Sequence, residues 1–121
     1  VPQADLLRAM RRAEVLLYPC TFREAGCIVV QMAHAAGAVP VTSSIACLPE
    51  YVGERGVLTP GHPRGGGPTA ETFLELFAEN ASTLLKNSAK PAHHRELCAA
   101  HDVGWGSVLD QWLAWAAEDT K

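Results

Sequence analysis

Apolar residues in the first half of the chain fall into one helical stripe and several short uninterrupted runs. Three of these runs end at turn signals and are typical of buried strands. They cover Glu14–Tyr18, Ala38–Thr42 and Gly56–Leu58. A helical stripe follows Pro2, a residue suited to a helix entry, and predicts an amphipathic helix over residues 3–12. It consists of Leu6, Leu7, Met10 and Ala13.

The stretch Gly26–Ala36 combines two opposing signals. Its β-branched residues at positions 28–30 favour a strand. Its Ala-rich remainder and the glycine that follows, Gly37, favour a helix, because glycine commonly terminates helices. We predict a helix here. Further along, Ser43–Val52 is predicted to be a loop with one helical turn at Pro49–Val52.

Helical patterns dominate the second half. Four Gly and three Pro mark Thr59–Pro68 as a flexible connector. Thr72 and Glu75 have capping-box spacing and are followed by an apolar stripe, which predicts a helix over residues 70–86. Pro91 opens a shorter predicted helix that ends near residue 101. A third stripe, from 105 to 116, predicts a closing helix that contains three tryptophans.

Strands that alternate with helices predict an α/β fold with a parallel sheet and right-handed crossovers. We expect a Rossmann-like, three-layer βαβ core over residues 1–58 and a Gly/Pro-rich connector over 59–68. Residues 69–121 are expected to form C-terminal helices that pack on the same domain. A chain of 121 residues is long enough for one small domain or part of a larger one.

Charge, hydropathy and cysteine content indicate which partners and which cellular compartment to expect. Ten Lys and Arg against thirteen Asp and Glu give a net charge of −3, which argues against a nucleic-acid partner. No apolar stretch reaches the roughly 20 residues that span a bilayer, and no secretory signal is recognisable. The four cysteines form no CxxC pair and are expected to be reduced, which favours the cytoplasm. Because the chain does not begin with Met, we expect a fragment or a processed product.

The loop after the first predicted strand is the place where ligand chemistry is expected. Ligands of open parallel sheets bind beyond the carboxyl ends of the strands. Helix amides near Gly26 would favour a phosphate there, and Glu24 would accept hydrogen bonds from sugar hydroxyls. Alternatively, Glu24 is only a first-turn acid that complements the helix dipole. The residues alone leave both interpretations open.

The segment YPCTFREAGCIVVQMAHAAGAVPVTSSIACLPEYV, residues 18–52, resembles the C-terminal domain of GT-B glycosyltransferases of the family-4-like retaining group. The shared pattern is a strand ending in Pro-Ser, a Glu, a small-residue turn, a helix, Ala-x-Ala-x-Gly-x-Pro-Val and a later Glu-x-Val. Residues 105–112, WGSVLDQW, resemble the final helix of such domains. The resemblance covers residues 4–58 well and 70–117 loosely. It implies a partial donor-binding domain of an enzyme that transfers sugar from a nucleotide diphosphate.

The resemblance also implies roles for individual residues. Glu24 matches the first motif Glu, which holds donor-sugar hydroxyls, and is the candidate catalytic residue. The small-residue turn, which approaches the sugar or the diphosphate, matches positions 25–27. The implied donor-binding set is Thr21, Arg23, Glu24, Ala25, Gly26, Cys27, Ile28 and Met32. Neither a metal nor a cofactor is implied beyond the nucleotide-sugar donor.

Two positions depart from the family pattern. Cys20 replaces the motif Ser, and Met32 replaces the second Glu, which binds the nucleotide ribose. Gln31 is the nearest polar neighbour. The acceptor domain is also absent from these 121 residues, so an acceptor domain or partner chain is expected and activity of this piece alone is not. The alternative is a non-catalytic structural or protein-interaction module with a degenerate glycosyltransferase fold.

Three further features of the sequence carry weaker signals. His94, Cys98 and His101 fall on one helical face and could be metal ligands, but solvated histidines with one buried thiol explain the same spacing. Cys27 at a helix start could be a reactive thiol, but no His or Lys lies near it in the sequence, so a packed thiol is the preferred interpretation. Trp115 lies off the main apolar stripe of the closing helix and is a candidate contact with a missing partner.

Overall fold

The computed structural model describes residues 2–64, 70–87, 89–100, 104, 110, 113–114 and 117. Helices and strands alternate in its first half. In chain order the elements are α1 (Gln3–Arg12), β1 (Val15–Tyr18), α2 (Ile28–Ala36), β2 (Val39–Ser43), α3 (Leu48–Val52), a 3₁₀ turn (Gly53–Arg55), β3 (Val57–Thr59), α4 (Ala70–Lys86) and α5 (Ala89–Ala100).

The three strands form one parallel sheet in the order β1-β2-β3. Val15 of β1 is the register partner of Val39, and Tyr18 is the partner of Thr42. The central strand β2 is buried along its whole length. The predicted α/β class with a parallel sheet is therefore confirmed, and the arrangement is compatible with a Rossmann-like fold.

Hydrophobic clusters lie on both faces of the sheet. Successive side chains of a strand point to opposite faces. On one face, Val39 and Val41 pack with Phe73, Phe77 and Leu84 of α4. On the other face, Tyr18 and Leu58 pack with residues of α2 and α3, including Val30, Leu48 and Val52. Helices thus cover the two faces, as a three-layer sheet requires.

Helix α2 confirms the choice of helix over strand for the ambiguous stretch. Val30 and Ala33 are buried against the sheet, so tertiary packing outweighs the β preference of the residues at positions 28–30. Gly37 ends the helix with a φ of 81°, a left-handed conformation that glycine adopts at little cost. The helix begins at Ile28 rather than at Gly26, because Cys27 has a non-helical backbone with a ψ of 89°.

Strands β2 and β3 are each shifted by one residue from their predicted apolar runs, because they begin after Ala38 and Gly56. Ser43 and Thr59 end these strands and are polar, yet both are fully buried. The Ser43 hydroxyl donates to the carbonyl oxygen of Cys20 at 2.7 Å, and the Asn80 amide donates to the Thr59 hydroxyl at 3.0 Å. Thr59 therefore belongs to the sheet and not to the connector.

The helices of the second half begin as predicted or slightly earlier. Helix α4 matches the predicted range of 70–86. Helix α5 begins at Ala89, before Pro91, since proline is tolerated in a first turn. Connector residues 65–69 and most of the predicted closing helix, with Trp105, Trp112 and Trp115, lie outside the described residues. Within the described ranges, no helix has the length and apolar composition needed to cross a bilayer.

Candidate functional site

A cavity of about 430 Å³ opens where β1 ends and α2 begins. This is the carboxyl-end position at which open parallel sheets bind their ligands. The cavity is formed mainly by the loop between the two elements and by the first turn of α2. Its lining residues are Phe22, Arg23, Glu24, Ala25, Gly26, Ile28 and Val29.

Two other cavities among the described residues are weaker candidates for a binding site. The larger one, about 510 Å³, is lined by α1 and the residue after it, and Arg8, one of its two arginines, is already paired with Asp5 at the surface. The other, about 320 Å³, lies between the 3₁₀ turn and the end of α5. Neither is bounded by the end of a β-strand. The cavity beside Glu24 is therefore the candidate site.

The Glu24 side chain is held from the interior of the protein. Its Oε1 accepts a hydrogen bond from the Tyr18 hydroxyl and lies 3.9 Å from the Cys20 sulfur. The Cys20 thiol also lies 3.2 Å from the carbonyl oxygen of Phe22, within the same loop. Glu24 is partly buried, so one side of its carboxyl group contacts the protein while the residue also lines the cavity.

This position disfavours the interpretation of Glu24 as a helix-dipole acid. Helix α2 starts at Ile28, and its first turn contains no acidic residue. Charge–dipole effects fall off within the first turn of a helix. The contacts with Tyr18 and Cys20 instead account for the placement of the carboxyl group.

The groups around Glu24 hold their protons more tightly than usual. The hydrogen bond to Glu24 raises the pKa of Tyr18 far above its ordinary value, and burial adds to this effect. Burial raises the pKa of Cys27 to about 12, with a contribution from Glu24. Cys27 is also fully buried. Its thiol is therefore protonated at neutral pH, which supports a packed cysteine over a reactive one.

Tyr51 approaches the loop from α3. A Cβ atom placed on Gly26 would lie 3.4 Å from the Tyr51 hydroxyl oxygen. Neither Tyr18 nor Tyr51 is among the residues that the sequence predicts for this site. The available signal for Tyr18 was its position as the last residue of a strand that leads into the candidate loop, whereas no spacing pattern pointed to Tyr51.

The predicted donor-binding residues divide into two sets. Five of them line the cavity, together with Phe22 and Val29: Arg23, Glu24, Ala25, Gly26 and Ile28. Thr21, Cys27 and Met32 are not among the described lining residues. Cys27 is buried beneath the loop, while Thr21 and Met32 are partly buried.

The mouth of the cavity combines apolar and charged groups. Phe22 is 61% exposed and Ile28 is 68% exposed, which are high values for large apolar side chains. Arg23, between Phe22 and Glu24 in the chain, is also exposed. The site thus offers an acceptor for hydroxyl groups, a cation and apolar surface within a single shallow cavity.

The proposed metal ligands on α5 contact backbone carbonyl groups. His94 Nδ1 lies 2.8 Å from the oxygen of Glu54, and the Cys98 sulfur lies 3.8 Å from that of Arg55. His101 lies outside the described residues. Among the residues that the structure describes, no group of three or more His, Cys, Asp or Glu side chains is placed to bind a metal ion.

Comparison of the chain with models of known protein families finds no matching family. A search among curated proteins also finds no match. The residues and geometry of the junction between β1 and α2 are therefore the basis for assigning a function.

Proposed function

We propose that this chain is the donor-binding portion of a glycosyltransferase of the GT-B type. In this proposal the donor is a nucleotide diphosphate sugar, and the sugar is passed to an acceptor held elsewhere. The observation that carries the proposal is the position of Glu24. Its carboxyl group lies beyond the end of a parallel strand, lines a cavity and is fixed by Tyr18.

Each part of the cavity has a role in this proposal. Glu24 accepts hydrogen bonds from the hydroxyl groups of the sugar, because an ionised carboxylate is an acceptor only. The N-terminus of α2 and the exposed Arg23 favour the negatively charged diphosphate. The same positive potential would stabilise charge that develops on the leaving diphosphate. Phe22 and Ile28 supply apolar surface next to these groups.

Met32 changes how the nucleotide would be held. The resemblance places a ribose-binding Glu at this position, but the thioether of methionine cannot bind two hydroxyls in the same way. Each ribose hydroxyl that loses its partner would weaken binding by about 1–3 kcal/mol. The sugar and the diphosphate therefore carry most of the donor affinity in this proposal.

The acceptor requires surface from outside the cavity. GT-B enzymes bring donor and acceptor together in a cleft between two domains, and the described residues form one sheet. We therefore assign this chain donor binding alone. Transfer would require an acceptor domain or a partner chain.

A non-catalytic interaction module is the second candidate function. Phe22 and Ile28 are exposed apolar side chains on the same cavity, which is also a property of protein-binding surfaces. Met32 and Cys20 depart from the glycosyltransferase pattern. In this case the sheet would persist as a scaffold, and nucleotide sugars would not bind.

Isothermal titration of the full-length protein with UDP-sugars and GDP-sugars tests the proposal. We expect heat from at least one donor, and we expect Glu24→Gln to weaken that binding by about tenfold or more. Glu79→Gln is the matched control, because Glu79 is an exposed acid of α4, the helix on the opposite face of the sheet. Absence of heat with every donor would favour the interaction module, and equal losses in both variants would remove Glu24 from the site.

A further inference from the structure

Tyr18 connects the sheet to the candidate site. It is the last residue of β1 and is paired in register with Thr42 of the buried central strand. Its side chain packs against the hydrophobic cluster on the α2 face of the sheet. The phenol therefore projects from one of the firmly held parts of the described chain, whereas Glu24 lies on a loop.

The Tyr18 hydroxyl reaches Glu24 across that loop. It donates a hydrogen bond to Glu24 Oε1, and the Cys20 sulfur lies 3.9 Å from the same oxygen. Both contacts therefore use Oε1. Glu24 also lines the cavity, and its second carboxylate oxygen, Oε2, has acceptor capacity for a ligand hydroxyl group.

A fixed carboxylate binds a ligand better than a mobile one. A glutamate side chain has several rotamers, and ordering them during binding costs affinity. The bond from Tyr18 removes part of this freedom before the ligand arrives. It also directs one oxygen inward, so that the other has a defined position for hydrogen bonding.

We propose that Tyr18 is a positioning residue that holds Glu24 Oε1 so that Oε2 meets a sugar hydroxyl, an inference that rests on the proposed function. Tyr18 does not contact the ligand in this arrangement. It acts only through Glu24, and this dependence distinguishes it from a residue that merely stabilises the fold.

A double-mutant cycle tests this dependence. We expect Tyr18→Phe to weaken nucleotide-sugar binding by about three- to tenfold in the full-length protein, the cost of ordering one long side chain, Glu24, during binding. In a Glu24→Ala background the same substitution should change affinity by less than about twofold, because position 24 then has no side-chain oxygen for Tyr18 to hold. Tyr51→Phe is the control: it removes another hydroxyl of the same cluster, and its effect should be equal in both backgrounds.

The outcomes separate this inference from the proposed function. Suppose that the unsubstituted protein binds a donor and that Tyr18→Phe leaves this affinity unchanged or weakens it equally in both backgrounds. This result overturns the role of Tyr18 but not the proposed function. Absence of binding by the unsubstituted protein overturns the proposed function and, with it, this inference.

Ultraviolet titration of the phenols provides a measurement that needs neither ligand nor a folded Tyr18→Phe variant. The chain contains two tyrosines. One phenol should resist ionisation at alkaline pH, and Glu24→Gln should make it ionise at lower pH, since the bond to Glu24 raises the pKa of Tyr18. If Glu24→Gln leaves the ionisation of both phenols unchanged, the hydrogen bond between Tyr18 and Glu24 is contradicted, and the inference is overturned with it.

Discussion

Gly56 lies directly against Pro40, at the point where β3 begins beside β2. A Cβ atom on Gly56 would lie 2.5 Å from the carbonyl oxygen of Pro40 and 2.8 Å from its Cγ. The same atom would lie 2.8 Å from a methyl carbon of Val52. Backbone, a proline ring and a fully buried valine surround this position, so none of them can move away cheaply.

Gly56→Ala should therefore destabilise the protein. We expect the free energy of unfolding to fall by about 1–3 kcal/mol, the usual cost of forcing an extra carbon into a packed core. Urea denaturation followed by circular dichroism measures this change. Gly26→Ala is the control, because its Cβ would meet only the Tyr51 hydroxyl at 3.4 Å. Equal stability of the two variants would contradict the close approach.

Among the residues that the structure describes, Phe73 is the largest fully buried side chain, and it stacks on Phe77 with ring centroids 5.7 Å apart. Phe73→Ala should lower the free energy of unfolding by about 3–5 kcal/mol through lost burial and the resulting cavity. Leu74→Ala, one position along α4, removes a side chain that is 50% exposed and should cost far less. A thermal melt of both variants is sufficient. Similar losses would place α4 in a different rotation about its axis.

Asn80 supplies a hydrogen bond to the end of the sheet. Its amide donates to the hydroxyl of fully buried Thr59 at 3.0 Å. Asn80→Ala removes this donor and should lower the free energy of unfolding by about 1–3 kcal/mol, the cost of an unpaired buried polar group. Exposed Glu79, its neighbour on α4, provides the control in Glu79→Ala. If the two variants have the same free energy of unfolding, the role of Asn80 is contradicted.

Cys27 should make the stability of the protein depend on alkaline pH. Its ordinary pKa of 9.0 applies to the unfolded chain, and in the folded protein burial raises the pKa to about 12. The unfolded state therefore loses its proton first, and stability that is complete below pH 9 declines as the pH rises towards 12. Urea midpoints between pH 8 and pH 11 should fall less steeply for Cys27→Ala than for the unsubstituted protein. Parallel pH profiles would exclude a buried Cys27 thiol.

The order of elements could be predicted from the sequence because hydrophobic runs and glycines mark it directly. Gly37 is the clearest example: it correctly favoured a helix where the residues at positions 28–30 favoured a strand. The strand ends were harder. Ser43 and Thr59 are polar residues whose burial depends on partners distant in the chain, Cys20 and Asn80. The hydropathy pattern does not predict hydrogen bonds between residues that are distant in the chain.

The candidate site could be located from the sequence, but its internal contacts could not. The loop after β1 was found because a strand, Glu24 and a helix follow one another. The bond between Tyr18 and Glu24 depends on how that loop folds back over the strand end. Likewise, Tyr51 reaches Gly26 only because α3 packs beside the loop. Spacing rules for helices and strands do not describe such approaches.

Met32 is the position at which the nucleotide part of the proposed donor can be tested. It lies on α2, four residues and hence about one helical turn after Ile28, and is partly buried. Met32→Glu would introduce the ribose-binding carboxylate that the family resemblance implies at this position. We expect UDP or GDP, without a sugar, to bind about tenfold more tightly to this variant, because two hydroxyl groups gain an ionised acceptor.

Gln31→Glu is the control for this substitution, since it adds the same charge at the neighbouring, partly buried position on α2. A ribose contact requires the carboxylate at position 32, so Gln31→Glu should leave nucleotide affinity unchanged. Weaker binding by Met32→Glu would show that Met32 itself belongs to a pocket of altered shape. An equal gain in both variants would show a general effect of charge, which contradicts a specific ribose contact.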